Sequence, residues 1–199
     1  MASILVICTG NVCRSPLAEG FLRSALEQRF GDAAPEVASA GTMGWEGSGA
    51  MAESIAAARE LDVDISTHHA RLLLREHVAD ADLVIGMARE HVDAVRRALP
   101  AAAGKTFTLK ELVRLLEALP PADPAGGPEA LTERVAEAEV LRRSGFEGNP
   151  QDEDVVDPLG MALETYRSIA WELRDYDDRL VDALFGARAG AGSIREDAS

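Results

Sequence analysis

Basic residues are scarce in this sequence. It contains 20 lysines and arginines against 34 aspartates and glutamates, so its formal net charge is −14. Nucleic acids and anionic membranes bind basic surfaces, so this balance argues against either as the main partner. Long apolar runs are also absent, because the longest, residues 4–8, is far shorter than the ~20 residues that span a bilayer. The first residues carry no basic segment of a signal peptide, so we expect a cytoplasmic protein.

Cysteine is nearly absent as well, with Cys8 and Cys13 as the only two thiols. Two close cysteines do not build the disulfide framework of a secreted domain, and in a reducing compartment a reactive role is more common. Apolar residues make up 47% and charged residues 27% of the 199-residue chain, which is typical of a globular domain. A chain of this length buries roughly 70% of its unfolded surface, so its core needs neither disulfides nor metals.

The order of apolar segments predicts a doubly wound α/β fold, a parallel sheet with helices on both faces. Continuous apolar or β-branched runs predict strands over residues 3–8, 36–40, 81–86 and 105–109. Periodic patterns predict helices over residues 16–30, 50–61, 72–78, 90–99, 110–119, 129–143 and 161–185. We expect one domain over residues 1–185, a proline-rich surface insertion at about 120–150, and a flexible tail over 186–199.

The segment that carries chemistry is residues 8–16, CTGNVCRSP, which joins the first strand to the first helix. A loop of this length can wrap around a tetrahedral oxyanion with its backbone N–H groups turned inward, and the helix N-terminus adds its positive dipole. Gly10 and Asn11 permit the backbone angles that this needs. Arg14 can bind two phosphate oxygens at once. These groups would stabilise a thiolate at Cys8, which predicts a nucleophile directed at phosphorus.

This sequence resembles the low-molecular-weight protein tyrosine phosphatase family. The resemblance rests on CTGNVCRSPLAEG at residues 8–20, SAGT at 39–42 followed by Trp45, HHAR at 68–71, and DP at 157–158. It implies a four-stranded parallel sheet flanked by helices, and hydrolysis of a phosphomonoester through a phosphocysteine. It also implies that no metal and no cofactor take part, and that the partner is a phosphorylated protein or a small phosphomonoester. The oligomeric state stays open.

The resemblance assigns three catalytic residues. Cys8 would be the nucleophile, Arg14 would bind the phosphate and stabilise the transition state, and Asp157 would be the general acid. Asp157 would protonate the leaving oxygen and then act as a base on the water that hydrolyses the phosphocysteine. From the residues alone, Asp157 is one of several acids between 152 and 157.

The resemblance also assigns binding and supporting residues. The substrate-binding set is Thr9, Gly10, Asn11, Val12, Cys13, Ser15 and Trp45, with Trp45 as a wall of the pocket. The Ser15 hydroxyl would stabilise the thiolate, although a helix N-cap is an equally good interpretation. His68 would support the loop, with His69 as the near alternative. Cys13 would be either a second thiol that forms a reversible disulfide with Cys8 or a passive small residue.

Three alternatives stay open within or beside this fold. Relatives that dephosphorylate arginine carry threonine at the place of Val12, so Val12 favours phosphotyrosine, whereas Thr9 and FTLKEL at residues 107–112 look like the arginine-specific branch. An arsenate reductase that uses an external thiol would need no further cysteine. A catalytically inactive phosphate-binding module is disfavoured, because nucleophile, arginine and acid are all present. Leu159 also departs from the family, since many members carry an aromatic residue there.

Overall fold

A four-stranded parallel sheet forms the centre of the protein, in the order β2-β1-β3-β4. The computed structural model describes residues 2–146 and 153–187. Its strands are β1 (Ser3–Cys8), β2 (Glu36–Gly41), β3 (Leu83–Gly86) and β4 (Thr106–Thr108). The strand order reverses direction beside β1, which confirms the predicted doubly wound α/β fold.

Burial on both faces explains why β1 reads as one continuous apolar run. Ile4 and Val6 point into the larger core cluster, whereas Leu5 and Ile7 point into a smaller cluster on the opposite face. Successive side chains of a strand face opposite sides, so a sheet covered on both sides needs apolar residues at every position. The carboxyl end of β1 therefore opens at a crevice between the helical layers.

Seven α-helices surround the sheet in the described part of the chain. They are α1 (Arg14–Phe30), α2 (Ala52–Arg59), α3 (Arg75–Asp80), α4 (Arg89–Ala98), α5 (Leu109–Glu117), α6 (Ala130–Arg143) and α7 (Leu163–Phe185). Helix α7 packs against α1, α2 and α5 over the larger core, and α3 and α4 contribute Val78 and Val95 to the smaller one. None of these helices combines the length and the apolar composition that a bilayer-spanning helix needs.

The start of α1 differs from the sequence prediction. We expected Ser15 as N-cap and Pro16 as first helical residue, but the helix begins at Arg14 with Cys13 as N-cap. A tertiary contact replaces the cap, because the Ser15 hydroxyl lies 2.9 Å from the Cys8 Sγ and does not bond a backbone N–H of its own helix. The N-cap interpretation of Ser15 is therefore wrong, and its contact with the thiol is what the structure contains.

The predicted insertion contains α6, which packs into the domain. Leu131, Val135 and Ala138 of this helix belong to the larger core. The Arg142 guanidinium stacks 4.0 Å from the Phe107 ring centroid and donates to the Thr106 carbonyl oxygen at 2.9 Å. The domain boundary at 185 stays a prediction, and the predicted tail lies outside the described residues except for residues 186 and 187.

Candidate active site

The loop between β1 and α1 curls around the Cys8 thiol. The thiol is buried, and the Asn11 backbone N–H donates to its sulfur at 3.2 Å. The Ser15 hydroxyl contacts the same sulfur from the first turn of α1 at 2.9 Å. One backbone N–H, one hydroxyl and the N-terminus of α1 thus lie close to one thiol, which is an environment that stabilises negative charge.

Asn11 holds this loop in shape. Its backbone φ is +56°, a left-handed conformation that costs a non-glycine residue about 1 to 2 kcal/mol. The fully buried side chain offsets this cost, since its amide nitrogen donates to Ser15 Oγ at 2.9 Å and to Ser39 Oγ at 2.7 Å. Its amide oxygen accepts from the Arg71 backbone N–H at 2.9 Å. Ser39 and Arg71 lie in the SAGT and HHAR motifs, but the sequence alone did not assign them to this network.

His68 is the histidine that contacts the loop. Its Nε2 lies 2.8 Å from the Asn11 carbonyl oxygen and so donates to it, while its Nδ1 lies 3.8 Å from Glu19 Oε2. His69, the alternative from the sequence, is exposed. The structure therefore brings His68 to the loop from the segment between α2 and α3.

Arg14 joins the loop to Asp157. One terminal nitrogen donates to the Val155 carbonyl oxygen at 3.0 Å, and the other donates to Thr9 Oγ1 at 3.3 Å and to Asp157 Oδ2 at 2.6 Å. The Arg14 side chain is 4% exposed, whereas that of Asp157 is 45% exposed. Within residues 2–146 and 153–187, the buried Nε of Arg14 has no hydrogen-bond partner, so this guanidinium retains a donor for an oxyanion.

A small cleft above Cys8 has an apolar and a polar side. Its lining consists of Cys8, Thr9, Gly10, Val12, Cys13, Arg14, Trp45, Asp157 and Leu159. Trp45 closes over the loop, because a Cβ at Gly10 would lie 3.0 Å from the indole Cδ1. Glycine at this position thus lets the ring approach the backbone. The candidate binding residues from the sequence converge on this cleft or on its support.

His91 was missed by the sequence interpretation. It lies on the first turn of α4, is 1% exposed, and its Nε2 is 3.0 Å from Thr9 Oγ1. Burial, and then the nearby positive charge of Arg14, lower the pKa of His91 to about 4. The ring is therefore neutral at neutral pH, and it extends the polar chain from Asp157 through Arg14 and Thr9. The sequence shows His91 only as one of four histidines without metal-ligand spacing, and no local pattern marks it as buried or close to Thr9.

Cys13 lies under the loop beside α7. Both cysteines are free thiols, and Cys13 Sγ is 3.8 Å from the Tyr166 hydroxyl. Burial is the main cause that raises the pKa of Cys13 to about 11, with Asp157 and Cys8 adding to it. Cys13 is therefore a protonated thiol at neutral pH. In the described residues, no group of three or more potential ligands is arranged around a metal position.

This chain is similar in sequence and in fold to known phosphatases. The sequence profile of the family described as low molecular weight phosphotyrosine protein phosphatase matches residues 3–140. A curated protein-arginine-phosphatase of Geobacillus stearothermophilus is 32% identical over 91% of this chain and 95% of its own length. The low molecular weight protein-tyrosine-phosphatase Etp of Escherichia coli is 37% identical over 53% of this chain and 67% of its own length. The crystal structure of a low molecular weight protein tyrosine phosphatase from T. tengcongensis superposes with a TM-score of 0.68 at 32% identity, covering 92% of this chain and 99% of that one.

Proposed function

Because the chain belongs to the low molecular weight phosphotyrosine protein phosphatase family and is a cysteine-dependent phosphatase, we propose that it hydrolyses phosphotyrosine in proteins. The family match over residues 3–140 confirms the resemblance seen in the sequence motifs. In this proposal Cys8 is the nucleophile, Arg14 binds the phosphate, and Asp157 is the general acid and base. The single observation that carries it is the convergence of these three side chains on one cleft, with Arg14 Nη2 2.6 Å from Asp157 Oδ2.

The first step transfers the phosphoryl group to Cys8. The phosphate oxygens sit among the loop N–H groups and the Arg14 guanidinium, which neutralise the charge of the phosphate and of the transition state. The Cys8 thiolate attacks phosphorus, an S–P bond forms, and the bond from phosphorus to the ester oxygen breaks. Asp157 gives its proton to the departing phenolate oxygen, so the tyrosine leaves as a neutral phenol. The contacts of Asn11 N–H and Ser15 Oγ with the sulfur support a thiolate as the attacking form.

The second step releases phosphate. The Asp157 carboxylate accepts a proton from a water molecule, the water oxygen attacks phosphorus, and the S–P bond breaks to return the Cys8 thiolate. Arg14 donates hydrogen bonds both to Asp157 and to the Val155 carbonyl oxygen. The same guanidinium is therefore well oriented to bind phosphate beside the acid in both steps.

The cleft favours an aromatic leaving group. Trp45 and Leu159 border it, and Val12 presents methyl groups where a hydroxyl would be needed to bond a polar leaving group. A phenyl ring can pack against these apolar surfaces while its oxygen reaches Asp157. This apolar lining is the observation that supports tyrosine over arginine.

A second candidate is phosphoarginine. The curated relative that matches over 91% of this chain acts, by its name, on protein arginine. Thr9 also lines the cleft with a hydroxyl held by Arg14 and His91, which offers a polar contact for a guanidinium. Two peptides with the same flanking sequence, one with phosphotyrosine and the other with phosphoarginine, distinguish the two candidate substrates. A higher kcat/KM for the phosphotyrosine peptide is expected, and the reverse order would assign the enzyme to arginine.

The activity itself is tested with p-nitrophenyl phosphate in the presence of EDTA. Wild type should remain active, Cys8→Ser should lose activity, and Asp93→Ala, an exposed substitution on α4, should match wild type. Acid quenching during turnover should leave a phosphorylated peptide that contains Cys8. Equal activity of wild type and Cys8→Ser would overturn the phosphocysteine mechanism.

We also propose the finer partner and location assignments. The substrate is a phosphorylated protein, and the two free thiols support a reducing, cytoplasmic setting. The net charge of −14 supports the absence of nucleic acid among its partners.

A further inference from the structure

The segment that precedes Asp157 is attached to the first turn of α4. Asp154 Oδ1 accepts a hydrogen bond from the Arg89 backbone N–H at 2.8 Å. The N-cap residue of α4 is Ala88, which offers no side-chain acceptor. Asp154 therefore supplies the helix cap from a distant part of the sequence, where a carboxylate also meets the positive end of the helix dipole.

Glu153 attaches the same segment to a second helix. Its Oε1 lies 2.7 Å from an Arg114 nitrogen on α5, and its Oε2 lies 3.4 Å from Arg89 Nε on α4. The Glu153 side chain is only 13% exposed and that of Arg114 20%, so this pair is less screened by solvent than a surface pair, whereas Arg89 is 57% exposed. One carboxylate thus bridges two helices directly before the loop that contains Asp157.

Main-chain bonds carry this attachment toward the active site. The Val155 N–H donates to the Met87 carbonyl oxygen at 2.8 Å, just beyond the end of β3. The Val155 carbonyl oxygen accepts from Arg14 at 3.0 Å. Asp157 follows two residues later, with Oδ2 at Arg14 and Oδ1 accepting from the Leu159 N–H at 3.2 Å.

The Asp157 side chain is 45% exposed on a loop, so little packing of its own fixes its position. We propose that Glu153 and Asp154, which we call the acid-loop latch, position Asp157 for proton transfer to the leaving group. Both are positioning residues and neither touches the substrate. This inference rests on the proposed function, in which Asp157 is the general acid. A displaced acid loses rate steeply, because proton transfer needs hydrogen-bond distance.

The test compares two aryl phosphates whose leaving groups differ in how much they need a proton from a general acid. Phenyl phosphate releases a strongly basic phenolate, whereas 2,4-dinitrophenyl phosphate releases an ion that needs no protonation. The kcat/KM of each is measured for Glu153→Gln, Asp154→Ala and the reference variant Asp157→Asn. The ratio of the two values does not depend on the folded fraction of a preparation, so a loss of stability alone leaves it unchanged.

The latch predicts a selective loss. In Asp154→Ala and Glu153→Gln, kcat/KM for phenyl phosphate should fall roughly tenfold, and for the dinitrophenyl ester less than about twofold. Asp157→Asn should show the same selectivity with a larger loss. Asp154→Asn keeps a capping oxygen and should recover most of the ratio lost in Asp154→Ala. Asp93→Ala, an exposed acid on α4 outside the latch, should behave as wild type.

The outcomes distinguish a failure of the acid-loop latch from a failure of the general acid assignment of Asp157. An equal loss for both substrates, or none, in the Glu153 and Asp154 variants overturns the latch when Asp157→Asn still shows selective loss. If Asp157→Asn itself shows no selectivity, the general acid assignment fails and the latch fails with it. Selective loss in all three variants, with recovery in Asp154→Asn, supports both.

Discussion

The buried His91 makes the stability of this fold sensitive to mild acid. Its pKa is about 4 in the folded protein and about 6.5 in an unfolded chain. Between those values the unfolded chain binds more protons than the folded one. The free energy of unfolding therefore falls as the pH drops from about 6.5 to about 4.

The size of this effect follows from the two pKa values. At pH 5 an unfolded His91 is almost fully protonated, while the folded side chain is about nine-tenths neutral. The difference lowers the free energy of unfolding by about 2 kcal/mol relative to pH 8. Arg14 disfavours protonation in the folded state, and Glu90 and Asp157 partly oppose it.

Urea unfolding of wild type and His91→Gln at pH 8 and pH 5 measures this term. Glutamine does not titrate and can still bond Thr9, so the variant should lose about 2 kcal/mol less than wild type between the two pH values. All other titrating groups are common to both proteins and cancel in the comparison. An equal pH dependence in the two proteins, or a His91 ring that titrates near pH 6.5 by NMR, would refute the reasoning.

Three further predictions follow from buried positions. Asn11→Ala should lower the free energy of unfolding by about 3 kcal/mol or more, because it strains the backbone, removes three buried hydrogen bonds and leaves the Arg71 N–H without its acceptor; Asn11→Gly should recover the backbone part in the same urea assay. Val12→Thr should raise the ratio of phosphoarginine to phosphotyrosine kcat/KM, and an unchanged ratio would contradict the role of Val12 in selectivity. Burial raises the pKa of Asp177 well above its usual range, so the native state loses stability as the pH rises above about 4. Asp177→Asn should therefore be more stable than wild type by about 1 kcal/mol or more at pH 7, with a smaller difference near pH 4, measured by thermal or urea unfolding.

The sequence predicted the strands and the loop that follows β1 because both depend on local pattern. The apolar run of β1 and the segment from Cys8 to Ser15 are readable without knowing any neighbour. Partners brought in by the fold were not readable in this way. The role of Ser15 was decided by its distance to Cys8, and His91 reaches Thr9 only because β3 pairs with β1 and α4 follows β3.

The choice of acid shows the same division between local and tertiary information. The sequence offered several carboxylates between 152 and 157, and family resemblance alone selected Asp157. The structure separates them by their partners, because Glu153 pairs with Arg114, Asp154 caps α4, and Asp157 faces Arg14. Three similar side chains thus have different surroundings, and only the fold shows which partner each of them has.

The insertion that the sequence predicts at about 120–150 ends shortly before the attached residues 153–155. The segment with α6 enters the chain between α5 and Asp157, and a longer connection by itself would leave the acid poorly positioned. Bonds from Glu153, Asp154 and Val155 to α4, α5 and Arg14 fix the chain again directly before Asp157. If Glu153 and Asp154 act as proposed, the position of Asp157 depends on the sheet and its helices and not on the length of the connection. Because loop closure entropy grows only slowly with length, such an insertion costs little once its exit is fixed.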